Sequence, residues 1–135
     1  MYLIKFFSDF CSSEICKLNF ENICDALNID YYGINKKIYF TNDDNYTHAI
    51  ILNKAMPILN NIPKENVIGF AFEPYEFLKI NEIFINYAKQ NIGKYFIGDK
   101  RNLSDPFIEG FAYMWHSNPK KEITLKKKSI IYYCK

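Results

Sequence analysis

The chain has 135 residues, of which 49% are hydrophobic and 18% aromatic, so it suits one folded domain and excludes a disordered composition. The formal net charge is +2, and residues 120–135 hold six lysines and one glutamate, which leaves −3 on the rest of the chain. Nucleic-acid binding needs a basic face on the fold, and a membrane span needs about 18 consecutive apolar residues; the sequence predicts neither.

The first half of the chain predicts one amphipathic helix set among short strands. Apolar residues recur at helical spacing over residues 14–27, and Ser12 or Ser13 can cap this helix. Short apolar runs bounded by polar turns predict strands at residues 2–7, 38–40 and 48–53.

The second half is organised around the run Val-Ile-Gly-Phe-Ala-Phe-Glu-Pro at residues 67–74. Its length and its lack of charge before Glu73 are typical of a strand buried on both faces of a parallel sheet. Pro74 has no N–H and disfavours helical backbone at the preceding residue, so the strand is predicted to stop there. The elements that follow are a helix over 81–91 ended by Gly93, a strand at 95–97, and a strand or short helix within 107–115.

This alternation of strands and helices predicts a Rossmann-like α/β domain, with three layers and a mostly parallel sheet. No Gly-x-Gly-x-x-Gly motif or other Gly-rich phosphate loop occurs, so we expect no nucleotide cofactor. The four cysteines and two histidines lack the spacing of metal ligands. No metal site is therefore predicted, and the cysteines are expected to be free thiols.

Glu73 is the candidate catalytic residue of this pattern. It follows the buried run directly, and in open α/β sheets ligands bind at the carboxyl ends of the strands. A carboxylate placed there between the aromatic residues Phe72 and Tyr75 is a candidate general base. The alternative is a solvated glutamate that begins a loop.

Four stretches stand out together, at residues 3–10, 47–57, 67–74 and 94–99. Apart from the run given above, they read Leu-Ile-Lys-Phe-Phe-Ser-Asp-Phe, Thr-His-Ala-Ile-Ile-Leu-Asn-Lys-Ala-Met-Pro and Lys-Tyr-Phe-Ile-Gly-Asp. They resemble the N-terminal half of the fucosyltransferases of glycosyltransferase family 10, particularly the divergent forms of large DNA viruses. The resemblance implies one half of a two-domain GT-B fold, with the acceptor sugar on this half and GDP-fucose on the other. It also implies that Glu73 takes the proton of the acceptor hydroxyl.

Five further residues are candidates for binding the acceptor. These are Asn53, Tyr75, Asp99, Trp115 and His116. A ring such as that of Trp115 can stack on a sugar, although packing in the core is an equally ordinary role for it. The loop that holds Asp99 can hydrogen-bond a sugar or be a solvated turn, and His116 can be an ordinary polar residue.

Residues 1–119 are predicted to form the acceptor-side domain. Residues 120–135 are predicted to be a basic linker and the first strand of a donor domain whose other motifs have no counterpart in the sequence. Fucosyl transfer requires stabilisation of the diphosphate leaving group, so we expect the chain alone neither to transfer nor to hydrolyse GDP-fucose. The expected partners are an acceptor glycan, and either a separate donor domain or a second copy paired through the apolar segment 129–133.

A second class of function stays open, in which the domain is a non-catalytic glycan-binding or structural assembly protein. The first class needs a donor domain and the second does not. The start of the chain has no basic leader and no small-residue cleavage site, so we expect a cytoplasmic protein. If the source is viral, the location would be the host cytoplasm or the virion.

Overall fold

The structure, a computed structural model, describes residues 1–30, 37–59 and 61–110. Six strands form a single sheet in the order β2-β1-β3-β4-β5-β6, and every neighbouring pair is parallel. The strands are β1 (Tyr2–Ser8), β2 (Ile38–Phe40), β3 (His48–Leu52), β4 (Val67–Phe70), β5 (Lys94–Ile97) and β6 (Phe107–Glu109). The α-helices are α1 (Ser13–Ala26), α2 (Tyr75–Leu78) and α3 (Glu82–Asn91), and a 3-10 turn spans Lys64–Asn66. The predicted Rossmann-like α/β fold is confirmed.

Both faces of the sheet are covered because side chains alternate along each strand. On one face, Phe6 of β1 packs with Cys16 of α1 and Leu52 of β3, and the ring of Phe40 stacks on that of Phe6 at 5.4 Å. The opposite face holds the larger core, which among the described residues is a cluster of fifteen buried side chains that α3 covers with Phe84 and Ala88. The layered arrangement follows from apolar residues on both faces of the central strands.

The connection between β2 and β3 changes the direction in which the sheet grows. Phe40, the last residue of β2, and His48, the first of β3, both pair with Ile4 on opposite sides of β1. Seven residues are enough to cross β1 at this level, and the main chain of Ile4 and Leu3 accepts hydrogen bonds from Thr41 and Thr47. β2 therefore lies on one side of β1, and β3 to β6 lie on the other side.

The central strand ends earlier than the sequence predicts. β4 stops at Phe70 rather than continuing to Pro74. Beyond Phe70 the main chain leaves β3, because the N–H of Phe72 donates to the side-chain oxygen of Asn53 rather than to a strand carbonyl. The turn expected after Pro74 contains the short helix α2.

Gly93 follows α3 as predicted, but the reason for a glycine is steric. Ile92, the C-cap, has extended backbone, so the helix does not end in a left-handed turn. A Cβ on Gly93 would lie 2.6 Å from the carbonyl oxygen of Lys64. The close approach of these two main-chain segments therefore requires the glycine.

Several sequence predictions lie outside the described residues. They concern Trp115, His116, the basic linker of residues 120–128 and the apolar segment 129–133. They remain predictions. None of the helices in the described ranges has the length and hydropathy of a membrane span.

Candidate functional site

The predicted site residues that the structure describes all lie at the carboxyl edge of the sheet. Asn53 directly follows β3, Glu73 lies three residues after β4, and Asp99 lies two residues after β5. Tyr75 begins α2, which is connected to the end of β4. Strands that run parallel end on the same edge, and ligands of open α/β sheets bind along this edge.

Asn53 holds the carboxyl ends of β3 and β4 together. It is 3% exposed, with a left-handed backbone at φ 57°, which asparagine tolerates better than most residues. Its N–H donates to the carbonyl of Phe70 at 2.9 Å, and its side-chain oxygen accepts from the N–H of Phe72 at 2.9 Å. With its polar groups engaged in this way, Asn53 shapes the loop that carries Glu73; its direct contact with a sugar stays a prediction.

Tyr95 completes this buried network from β5. Its hydroxyl donates to the carbonyl oxygen of Asn53 at 2.7 Å, and its side chain is fully buried. Burial raises the pKa of the Tyr95 phenol, and the negative charge of Asp9 raises it further. The phenol therefore keeps its proton and remains the donor of this hydrogen bond.

Glu73 is exposed at this edge. Among the described residues, none hydrogen-bonds or ion-pairs with its carboxylate. The preceding residue, Phe72, is half-buried, and its ring lies 5.7 Å from that of Phe10 in the turn after β1. The position leaves the carboxylate accessible to a ligand, and its action as a base stays a prediction.

Arg101 joins the predicted site residues Tyr75 and Asp99. Its guanidinium carbon lies 4.5 Å from the centre of the Tyr75 ring, within the range of a cation–π contact. It forms an ion pair with Glu76, and its Nε lies 3.8 Å from the Asp99 carboxylate. The N–H of Arg101 also donates to Asp99 at 3.0 Å. Arg101 lies in the loop that holds Asp99, and the sequence did not predict these contacts.

A second part of the edge was not predicted from the sequence. The carboxyl ends of β1 and β3 flank an open cleft of about 460 Å³ at the point where the strand order reverses, the position at which doubly wound sheets bind ligands. The N–H of Lys54 donates to the Asp9 carboxylate across the cleft at 3.2 Å. The residues that line the cleft are Phe7, Ser8, Asp9, Cys11, Ser12, Ser13, Lys54, Ala55, Met56 and Pro57.

The position of this cleft depends on the strand order, which the sequence did not predict. The run of polar residues after the first strand was visible in the sequence, but it also fits a plain turn and helix cap. Within the described ranges, no group of three or more His, Cys, Asp or Glu side chains is placed to hold a metal ion.

No family model matches this chain, and comparisons with curated proteins and with solved structures find no match either. The resemblance to family 10 glycosyltransferases therefore rests on the four stretches quoted above. The function has to be argued from the carboxyl edge itself.

Proposed function

We propose that this protein binds a carbohydrate acceptor at the carboxyl edge of its sheet, as the acceptor-side domain of a fucosyltransferase-like enzyme. The observation that carries the proposal is the convergence of Glu73, Tyr75 and Asp99 on one edge, with Arg101 joining the last two. Carboxylates and a guanidinium hydrogen-bond sugar hydroxyls, and an aromatic ring offers an apolar face to the sugar ring. The resemblance in the four stretches supports the same reading.

In this proposal each residue has a distinct role. Asp99 and Arg101 accept from and donate to the hydroxyls of the acceptor, and the half-buried ring of Tyr75 orients the guanidinium of Arg101. Glu73 takes the proton of the attacking hydroxyl when a donor sugar is supplied. Asn53 fixes the loop of Glu73 through the N–H of Phe72.

A binding test separates the two edges of the sheet. The ¹⁵N-labelled protein is titrated with a panel of free oligosaccharides, and we expect saturable shifts at Glu73, Asp99 and Arg101. Exposed Glu65, in the 3-10 turn before β4, lies at the opposite edge and serves as the matched control. Asp99→Asn should weaken binding and Glu65→Gln should not. Shifts at the amino edge, or no saturable shift with any sugar, would contradict the proposal.

Non-catalytic glycan binding is the second candidate function. It is favoured by the accessibility of Glu73, because a positioned general base is normally held by neighbouring groups and no described residue holds this carboxylate. Because the chain alone is expected not to turn over GDP-fucose, the two are distinguished by incubating the glycan-bound protein with GDP-fucose and a separately expressed donor domain. Turnover that Glu73→Gln abolishes would establish the transferase, whereas saturable binding without turnover would favour the binding protein.

A further inference from the structure

Two cysteines lie on either side of the N-cap of α1, at two positions that usually carry apolar residues. Ser12 is the N-cap of α1, and its hydroxyl accepts from the N–H of Ile15 at 3.2 Å. Cys11 precedes the cap, and Cys16 is the fourth helical residue. Side chains at these two places often pack against each other and fix the angle at which the chain enters the helix. In this chain the contact consists of two thiols.

The two sulfurs are very close. The Sγ atoms of Cys11 and Cys16 lie 2.7 Å apart, and both residues are free thiols. The sulfurs of a disulfide lie about 2.05 Å apart, so a small approach would allow the bond to form. We propose that Cys11 and Cys16 are a redox-active pair that low-molecular-weight disulfides oxidise to an intrachain disulfide.

The surroundings give the two thiols different roles. Cys11 is partly exposed in the wall of the cleft between β1 and β3, so a reagent in solution reaches its sulfur. Cys16 is 0% exposed and cannot meet a reagent directly. Burial raises the pKa of Cys16 to about 12, and the neighbouring Cys11 contributes to the rise. Cys11 is therefore the attacking sulfur and Cys16 the resolving one.

The reaction proceeds by two exchanges. The Cys11 thiolate attacks one sulfur of the reagent, whose S–S bond breaks to leave a mixed disulfide on Cys11 and one free thiol. Cys16 then attacks the Cys11 sulfur, the bond between Cys11 and the reagent breaks, and the departing reagent thiolate takes up the proton of Cys16 and leaves as the second thiol. The two protein thiols lose two electrons, and one reagent disulfide is reduced to two thiols.

Cys24 provides a matched control within the same helix. It is also a buried free thiol of α1, 4% exposed, and burial raises its pKa as it does for Cys16. No second sulfur lies next to it among the described residues. Burial alone would make the two helical cysteines behave alike, whereas the proximity of Cys11 makes only Cys16 oxidisable.

Peptide mapping of the full chain tests the proposal directly. The reduced, folded protein is incubated with glutathione disulfide, then unfolded in urea that contains the alkylating reagent, and digested with trypsin. Cleavage after Lys5 and Lys17 releases both cysteines in one peptide, while Cys24 falls in the next. We expect the peptide of residues 6–17 to lose two hydrogens and both alkyl groups, while Cys24 stays alkylated. Cys11→Ser should leave Cys16 fully alkylated, and Cys24→Ala should change nothing.

The folded chain should also form the bond more readily than the unfolded one. Because the helix start aligns the two sulfurs in advance, we expect the equilibrium to favour the disulfide on the order of tenfold more in buffer than in urea. If Cys11 and Cys16 are both fully alkylated after incubation of the folded protein with glutathione disulfide, the proposal is overturned. A mixed disulfide that persists on Cys11, or equal oxidation in buffer and in urea, would overturn it as well.

Discussion

The hydroxyl of Tyr95 in β5 donates a 2.7 Å hydrogen bond to the main-chain carbonyl of Asn53 and so joins β5 to the carboxyl end of β3 across β4. Both residues are buried, and the strand between them passes under the tyrosine ring at Gly69, where no side chain separates ring and backbone. The carboxyl edge that carries the candidate site thus rests on a buried polar contact.

Removing the hydroxyl of Tyr95 should destabilise the fold. Tyr95→Phe leaves a buried carbonyl oxygen without this donor, which costs about 1–3 kcal/mol. Urea unfolding of the purified variant measures the loss. Tyr2→Phe is the control, because Tyr2 is 51% exposed and its replacement should change the free energy of unfolding by less than about 0.5 kcal/mol. Equal losses for the two variants would show that the Tyr95 contact contributes nothing specific.

Gly69 should not tolerate alanine. An added Cβ would collide with Cδ2 of Tyr95 and lie 2.9 Å from Cε2, and the ring is buried and hydrogen-bonded in place. Overpacking of this kind costs about 1–3 kcal/mol, so we expect a clearly lower melting temperature. Gly110→Ala is the matched control, since its Cβ would lie 3.2 Å from the half-buried ring of Phe96. A melting temperature for Gly69→Ala at or above that of Gly110→Ala would refute the packing argument.

Two substitutions at Asn53 separate its backbone role from its side-chain role. Asn53→Gly keeps the left-handed backbone accessible but removes the acceptor of the Phe72 N–H. Asn53→Ala also removes the acceptor, but unlike glycine it keeps a Cβ, which the left-handed backbone disfavours. We therefore expect the alanine variant to be less stable than the glycine variant by about 1 kcal/mol.

Asn28 is a useful comparison for this pair of variants. It has the same φ of 57° but is exposed after α1. Asn28→Gly should therefore leave the free energy of unfolding nearly unchanged, while Asn53→Gly lowers it because a buried N–H loses its partner. Denaturant titration of the three variants and the parent chain under one condition checks the order. Equal stability for the glycine variants at both positions would mean that the Asn53 side chain is dispensable.

Stability should fall in alkaline solution partly because of Tyr87. Its hydroxyl donates to the carbonyl of Pro57, and burial raises its pKa from 10.0 to about 12. A folded-state pKa above the unfolded one stabilises the fold below pH 10, and this stability is lost as the pH rises towards 12. Tyr87→Phe should lose less of its free energy of unfolding over that interval than the parent chain does. Parallel pH profiles for the two proteins would exclude Tyr87 as a contributor. The raised pKa values of Tyr95, Cys16 and Cys24 account for a remaining slope.

The sequence by itself determined the local elements of this protein. Helix starts are set within one turn, so the start of α1 near Ser12 or Ser13 and that of α3 near Asn81 could be predicted. The structure shows that Ser12 and Asn81 are the caps, and each accepts an N–H three residues on. The first five strands could be predicted from apolar runs, because strands buried on both faces are apolar throughout. The run that holds β6 also fitted a short helix. The same logic placed Asn53 at the end of a strand and Glu73 and Asp99 after strands, and hence all three on one edge once the sheet was parallel.

Tertiary structure decided what depends on residues far apart in the chain. Which side of β1 receives β2 is set by packing across the sheet, so the cleft between β1 and β3 could not be located from local periodicity. β4 ends early because the side chain of Asn53, nineteen positions away, accepts the N–H of Phe72. Arg101 contacts Tyr75 because β5 and β4, the strands that precede them, are neighbours in the sheet. A local sequence pattern predicts only the turn, helix or strand in which a residue lies. The contacts of Asn53 and Arg101 form because loops that follow different strands meet at the carboxyl edge of the folded sheet.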